Sequence, residues 1–183
     1  MVYVFLANGF EETEAICPID IMMRAGIEVE LISVSDELNV VGSHGIALKA
    51  HKKINEISLA DDLPELIMLP GGMPGTTNLL ACRPLREIIV NASEAGVPIA
   101  AICAAPMILG KLGLLEGKRA TCYGGFEKEL IGAKVSRLFR VVTDGNIITG
   151  AGMGVANQFG LAIVKKIRSR KEAFRIARSI RFI

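Results

Sequence analysis

Three short apolar runs limit what this chain can become. VYVFLA (residues 2–7), LIMLP (66–70) and VPIAAIC (97–103) are continuous rather than alternating, and they stop abruptly at Asn-Gly, at Gly-Gly and at Ala-Ala-Pro. A strand that is apolar on both faces must be buried on both faces, which describes the central strands of a parallel sheet. Helical spacing follows each run. After the first, Ala15, Ile19, Met22 and Met23 recur on one face, acids crowd the first turn, and Gly26 closes the segment. After the second come TTNLLA and PLREIIVNASEAG, and after the third APMILGKLGLL. IEVELISV reads as another strand and KRATCY as a shorter one. VVGSHGIALKA and RVVTDGNIITG read as small hairpins, the latter turning at Asp144-Gly145-Asn146. NQFGLAIVKKI is a helix suited to packing on the sheet. Alternating strands and helices demand right-handed crossovers, so the expected class is α/β, with a mostly parallel sheet between helices on both faces.

At 183 residues the chain suits one domain with a sizeable core. No internal repeat or linker divides it, and we expect a single domain over 1–167 followed by a basic amphipathic helix over 168–183. The charge is uneven: Lys165 to Ile183 carries +7, against −5 for everything before it. Phe174, Ala177 and Ile180 fall on one face of that last segment and Arg175, Arg178 and Arg181 largely on the other. A terminal helix of this kind most often docks on its own domain; binding of anionic lipid or nucleic acid is the minor alternative. MVYVFLANGF lacks a basic leader, and no apolar stretch is long enough to span a bilayer. The expected setting is therefore cytoplasmic, with neither a nucleic-acid nor a membrane partner. Four cysteines (Cys17, Cys82, Cys103 and Cys122) lie far apart with no CxxC pair, which favours free thiols over disulfides and gives no support for zinc.

Open α/β sheets carry their sites in loops at the carboxyl ends of strands. Four loops qualify: after Ala7, Leu69, Ile102 and Cys122. Cys103 stands in the third, at the elbow between a strand and a helix. Unpaired amides and the positive end of the helix dipole favour a thiolate there; a small buried packing residue is the alternative. Glu14, one turn into the first helix, could point over the sheet edge and share a proton with that sulfur; a surface acid is the alternative. Glu11 and Glu12 read as capping charges of a solvated first turn. LPGGMPG lets backbone approach a ligand and offers amides to an oxyanion, yet lacks the Gly-Lys-Ser/Thr ending of a phosphate loop. Tyr123 could turn its hydroxyl toward the thiol. Neither His44 nor His51 falls in a strand-end loop; His44, between Gly42 and Gly45, is the better candidate if a second subunit approaches.

VFLANGFEETEAICPIDIMMRAGI, LIMLPGG and AAICAAPMIL, followed by LAIVKKI, resemble the ThiJ/PfpI superfamily, in the branch of the Parkinson-disease protein deglycase. The resemblance covers about residues 2 to 167. It implies a flavodoxin-like three-layer sandwich, a homodimer and no cofactor or metal. It implies that Cys103 is the nucleophilic, oxidation-sensitive cysteine, that Glu14 hydrogen-bonds its sulfur, and that the amides of Gly72 and Ala104 form an oxyanion pocket. Activities in that superfamily include glyoxalase, deglycase, chaperone and stress-sensing functions, with peptidase and thiazole-monophosphate labels by inheritance. The peptidase branch has His directly after the nucleophile, where this chain has Ala104. The deglycase branch often has His where this chain has Tyr123, and an arginine where it has His44. The expected function is a cysteine-dependent enzyme acting on small reactive aldehydes, with Cys103 as nucleophile and Glu14 as proton shuttle. A redox-sensing stress protein that oxidises Cys103 is the alternative.

Overall fold

The computed structural model describes residues 1–59 and 63–183. In chain order the elements are β1 (Val2–Leu6), α1 (Glu12–Arg24), β2 (Val29–Ser33), β3 (Asn39–Val41), β4 (Ala47–Lys49), β5 (Lys52–Lys53), β6 (Leu66–Leu69), α2 (Gly75–Ala81), α3 (Arg83–Glu94), β7 (Ile99–Ile102), α4 (Pro106–Lys111), β8 (Arg119–Ala120), β9 (Lys134–Val135), β10 (Val141–Asp144), β11 (Ile147–Gly150), α5 (Ala156–Ile167) and α6 (Arg170–Ser179). Among the described residues, seven strands form the main sheet in the order β10-β11-β7-β6-β1-β2-β5. All neighbours are parallel except the β10–β11 hairpin. This is the α/β sandwich expected from the apolar runs.

Successive residues of a strand point to opposite faces, so each buried run feeds two cores. Tyr3, Phe5, Ile67, Leu69, Ile99 and Ala101 join Leu79, Leu85, Ile89 and Ile108 from α2, α3 and α4. Val2, Val4, Leu6, Met68, Ala100 and Ile102 join Ile21, Met22, Phe159 and Ile163 from α1 and α5. Helices α1 and α5 meet where Gly160 faces Pro18 and Ile21; a side-chain carbon on Gly160 would lie 3.0 Å from Pro18 Cα. That close approach fixes α1, and with it the acids of its first turn, above the sheet.

Three details depart from the sequence reading. Met23 is 63% exposed, and Ile21 fills the core in its place. In α6, Ile176 and Ala177 are buried while Phe174 is 56% exposed, so the helix meets α5 through a face rotated from the expected one. The segment around Thr121 does not extend the main sheet: β8 pairs in parallel with β9 as a separate two-stranded sheet. The loop after it still reaches the sheet edge, because Tyr123 N–H donates to the Cys103 carbonyl at 2.8 Å. No described helix is long and apolar enough to cross a membrane.

Candidate active site

Strand β7 ends at Ile102, and the chain reverses at Cys103, whose φ is +65°. A side chain in this left-handed region costs roughly 1–2 kcal/mol, held here because Cys103 N–H is fixed to the Gly150 carbonyl at 2.8 Å. The turn leaves the sulfur half-buried at the carboxyl edge of the sheet. The amides of Gly72 and Ala104 hydrogen-bond it, as does the side chain of Glu14. Gly72 has φ +92°, and a side-chain carbon there would meet Glu11 N at 2.3 Å, so only glycine allows this amide to face inward.

Glu14 is 1% exposed. Its Oε2 accepts the Gly71 N–H at 3.1 Å, and the carboxylate also takes the Met153 N–H. Burial pushes its pKa up to about 7, the nearby Glu11 charge adds to this, and the Cys103 and backbone hydrogen bonds only partly offset it. Gly71 is the residue that packs the pair together. A side-chain carbon on it would lie 2.5 Å from both Cys103 Cβ and Glu14 Oε2. Sequence reading noticed the Gly-Gly pair but assigned no role to Gly71; the abrupt end of LIMLP was the signal.

The sulfur itself corrects one expectation. Its position before a helix does not keep it ionised. Burial, then the Glu14 charge and hydrogen bond, push the Cys103 thiol up to about 12, and the Gly72 and Ala104 amides offset only part of this. Helix α4 starts three residues later, at Pro106, and is six residues long, so its dipole is weak at the sulfur. Above about pH 7 the pair holds one proton, on the sulfur, and ionising the sulfur there means passing that proton to Glu14.

Tyr123 borders this pair and is 55% exposed. Its ring and Glu14 Oε1 both face Gly152, at 3.2 and 3.7 Å from a side-chain carbon placed there. Cys103, Glu14, Gly72, Ala104 and Tyr123 are therefore brought together. His44 is not part of that group. It sits at the exposed tip of the β3–β4 hairpin, where its Nδ1 pairs with Glu12 Oε2 at 2.9 Å.

Glu12 is not a solvated capping charge. Glu11 caps α1, its Oε2 accepting the Glu14 N–H at 2.6 Å. Glu12 is 5% exposed and accepts from Ser43 Oγ, His44 N and Ile46 N at 3.2, 2.7 and 3.4 Å. Burial opposes its charge, but the bonds from His44 and Ile46 outweigh that and draw its pKa down to about 2. The same bond raises the pKa of His44. Ligating atoms of Glu11, Glu12 and His44 lie within 4.8 Å of one another, but the hydrogen bonds within the group already account for its geometry. Of the other thiols, Cys122 is buried, and Cys17 Sγ donates to Asn157 Oδ1 at 3.0 Å.

Comparison with known proteins identifies the family. The DJ-1/PfpI family matches residues 1–166. Protein DJ-1 homolog B of Arabidopsis thaliana is 36% identical over 177 residues, covering 96% of this chain but only 40% of the relative. Deglycase PfpI of Pyrococcus furiosus is 33% identical over 149 residues, 81% of this chain and 87% of that protein. Among solved structures, oxidized Toxoplasma gondii DJ-1 superposes with a TM-score of 0.92 at 33% identity, covering 98% of this chain and 96% of the other. A match across nearly the whole domain, on a fold that holds Cys103 at its strand-end elbow, places this chain in the DJ-1/PfpI family.

Proposed function

We propose that this chain is a cofactor-free enzyme that converts small 2-oxoaldehydes to 2-hydroxy acids through Cys103 and Glu14. The observation that carries this reading is the buried Glu14 carboxyl, raised to about 7, in hydrogen-bond contact with a thiol at the sheet edge. A base poised near the working pH is what proton transfer requires. The deglycase name of the P. furiosus relative supports carbonyl chemistry.

Glu14 carboxylate takes the thiol proton as the sulfur attacks the aldehyde carbon. A C–S bond forms and the carbonyl π pair moves to oxygen, beside the Gly72 and Ala104 amides. Glu14 returns the proton to that oxygen, giving a hemithioacetal. It next removes the hydrogen from the same carbon, generating an enediolate with the neighbouring carbonyl; the hemithioacetal hydroxyl passes its proton to the neighbouring oxygen, and Glu14 delivers the carbon-derived proton to the neighbouring carbon. The product is a thioester of a 2-hydroxy acid. Water cleaves it, releasing the acid and the thiol, so the balance is substrate plus water with no external oxidant. One carboxyl handles each proton step, so turnover is slow. Wild type should form lactate from methylglyoxal, Cys103→Ala should not, and Glu14→Gln should do so at least about a hundredfold more slowly; a rate near that of wild type in either variant, or lactate from none of the three proteins, would remove the reading.

A second reading rests on the half-buried sulfur held by two amides, and on the oxidized state named for the T. gondii relative. Peroxide would oxidise Cys103 stepwise to sulfinate, two equivalents being reduced to water. Mass spectrometry after mild peroxide should find the oxygen on Cys103; even oxidation of Cys17, Cys82, Cys103 and Cys122 would count against it. We also propose a homodimer. Exposed Ile16 and Met23 on α1 and Ile46 in the hairpin support a covered face, and sedimentation velocity tests it.

A further inference from the structure

Beyond Tyr123 the fold opens a cavity of about 280 Å³ that the chemistry above does not use. Its lining residues are chain neighbours of those at the Cys103 site. Cys122 and Gly124, on either side of Tyr123, line it, and so does Ala151, next to Gly152. The far wall is the arm joining β9 to β10, which contributes Ser136, Arg137 and Arg140. Arg140 is anchored through its backbone, its carbonyl accepting the Ala151 N–H at 2.8 Å. Its Nη2 lies 3.3 Å from a side-chain carbon placed on Gly154, the residue after Met153, whose own amide bonds Glu14. The guanidinium thus rests on the turn that holds the proposed base.

Charge decides what such a cavity can take. Among the described residues neither Arg137 nor Arg140 forms a salt bridge. Glu127 is the acid on the cavity wall; it lies in the field of Arg137, and its Oε2 accepts the Gly125 N–H at 2.8 Å. Two guanidiniums against one carboxylate leave a net positive lining. Beyond Phe139 a second cavity of about 330 Å³ is lined by Arg119 and Lys134, with Asp144 paired to Arg119, so the uncompensated charge is concentrated at Arg137 and Arg140. Guanidinium forks match carboxylate and phosphate oxygens in pairs, and neither cation needs release from a partner before it binds.

We propose that the Arg137–Arg140 cavity is an anion subsite, selecting 2-oxoaldehydes that carry a carboxylate or phosphate at the end remote from the aldehyde. This rests on the aldehyde reading above and deepens it. The oxoaldehyde end reaches Cys103 and Glu14, while the chain passes Tyr123 and its anionic end meets Arg137, Arg140 and the Ser136 hydroxyl. Methylglyoxal has the same reactive end but nothing to fill the cavity.

The test compares kcat/KM for methylglyoxal, 4,5-dioxopentanoate (carboxylate) and 3-phosphooxy-2-oxopropanal (phosphate), in wild type and in Arg137→Gln/Arg140→Gln. Wild type should favour at least one anionic substrate over methylglyoxal by about tenfold or more, as charge-assisted bonds allow. The double variant should lose most of that ratio, and the better substrate identifies carboxylate or phosphate as the source. Equal use of all three, or a preference that survives in the variant, overturns the subsite. If none of the three turns over, the aldehyde reading fails on its own. The subsite is then read by titrating succinate and inorganic phosphate into wild type and variant by calorimetry: saturable binding lost in the variant upholds it, and absence of saturable binding overturns it.

Discussion

Glu12 and Glu14 stand two residues apart on the first turn of α1, both buried, and the fold treats them in opposite ways. Glu12 meets donors from the β3–β4 hairpin (Ser43, His44 and Ile46) and is held ionised, near 2. Glu14 meets two amides and a thiol that competes for its proton, and is pushed to about 7. Both side chains are shielded from solvent, but Glu14 lies deeper and feels the Glu11 charge, so burial wins there, whereas at Glu12 the hydrogen bonds win. One carboxylate therefore builds structure by fastening a hairpin to a helix. The other is kept reactive, at some cost to stability.

The comparison breaks first at the chemistry. Glu14→Gln keeps the shape but removes the proton carrier, and should lower kcat for methylglyoxal by about 10²–10⁴-fold, whereas Glu12→Gln should leave the Cys103–Glu14 hydrogen bond in place and lower kcat far less. Steady-state kinetics on both variants checks this. In wild type, kcat/KM should rise with pH through about 7, because Glu14 must lose its proton before it can accept one from the thiol.

Next in size is packing. Gly71→Ala puts a methyl 2.5 Å from both Cys103 Cβ and Glu14 Oε2. It should cost about 1–3 kcal/mol as an overpacked site and reduce activity sharply, both measurable on one preparation by denaturation and assay.

Stability against pH then separates the two acids by sign. Glu12 binds protons less readily folded than unfolded, so its contribution is present above the ordinary value of 4.5 and is lost as pH falls toward 2. Glu12→Ala should cost about 1–3 kcal/mol at pH 7, the deficit closing toward pH 2. Glu14 is the reverse: it binds protons more readily folded, so ionising it lowers stability as pH rises from 4.5 through about 7. Glu14→Gln should be more stable than wild type at pH 8 and nearly equal to it at pH 4. Urea denaturation across that range reads both. The smallest effect is His44→Ala, which removes one exposed side-chain donor to Glu12 while its backbone donor stays, and should shift the urea midpoint least of these variants.

The same two glutamates show how far the sequence could be read. Continuous apolar runs declared the buried strands, because a residue pattern without alternation has few other uses in a chain of this length. The position of Cys103 at an elbow followed from strand ends converging on one sheet edge, but the pattern alone left Glu14 equally open to being a surface acid, and its partnership with the sulfur came from the family resemblance. Glu12 was misread because its donors come from Ser43, His44 and Ile46, about thirty residues away, and no local pattern announces that contact. The ionisation of Cys103 was misread for a related reason. Position in a turn was legible, but the depth of burial and the charge of Glu14 beside it depend on how α1 and the Gly71 turn pack. Phe174 shows the limit for helices, since amphipathic spacing fixed two faces of α6 without saying which side of the apolar stripe would meet α5.

The account depends on a carboxylic acid that gives up its proton near neutrality because it is buried against a thiol. A carbon-13 NMR titration of the Glu14 side-chain carboxyl measures this directly. It should titrate at about 7 in wild type, and higher in Cys103→Ala, where the hydrogen bond favouring its charged form is gone. A Glu14 that titrates near 4.5, unmoved by loss of the sulfur, would contradict the account.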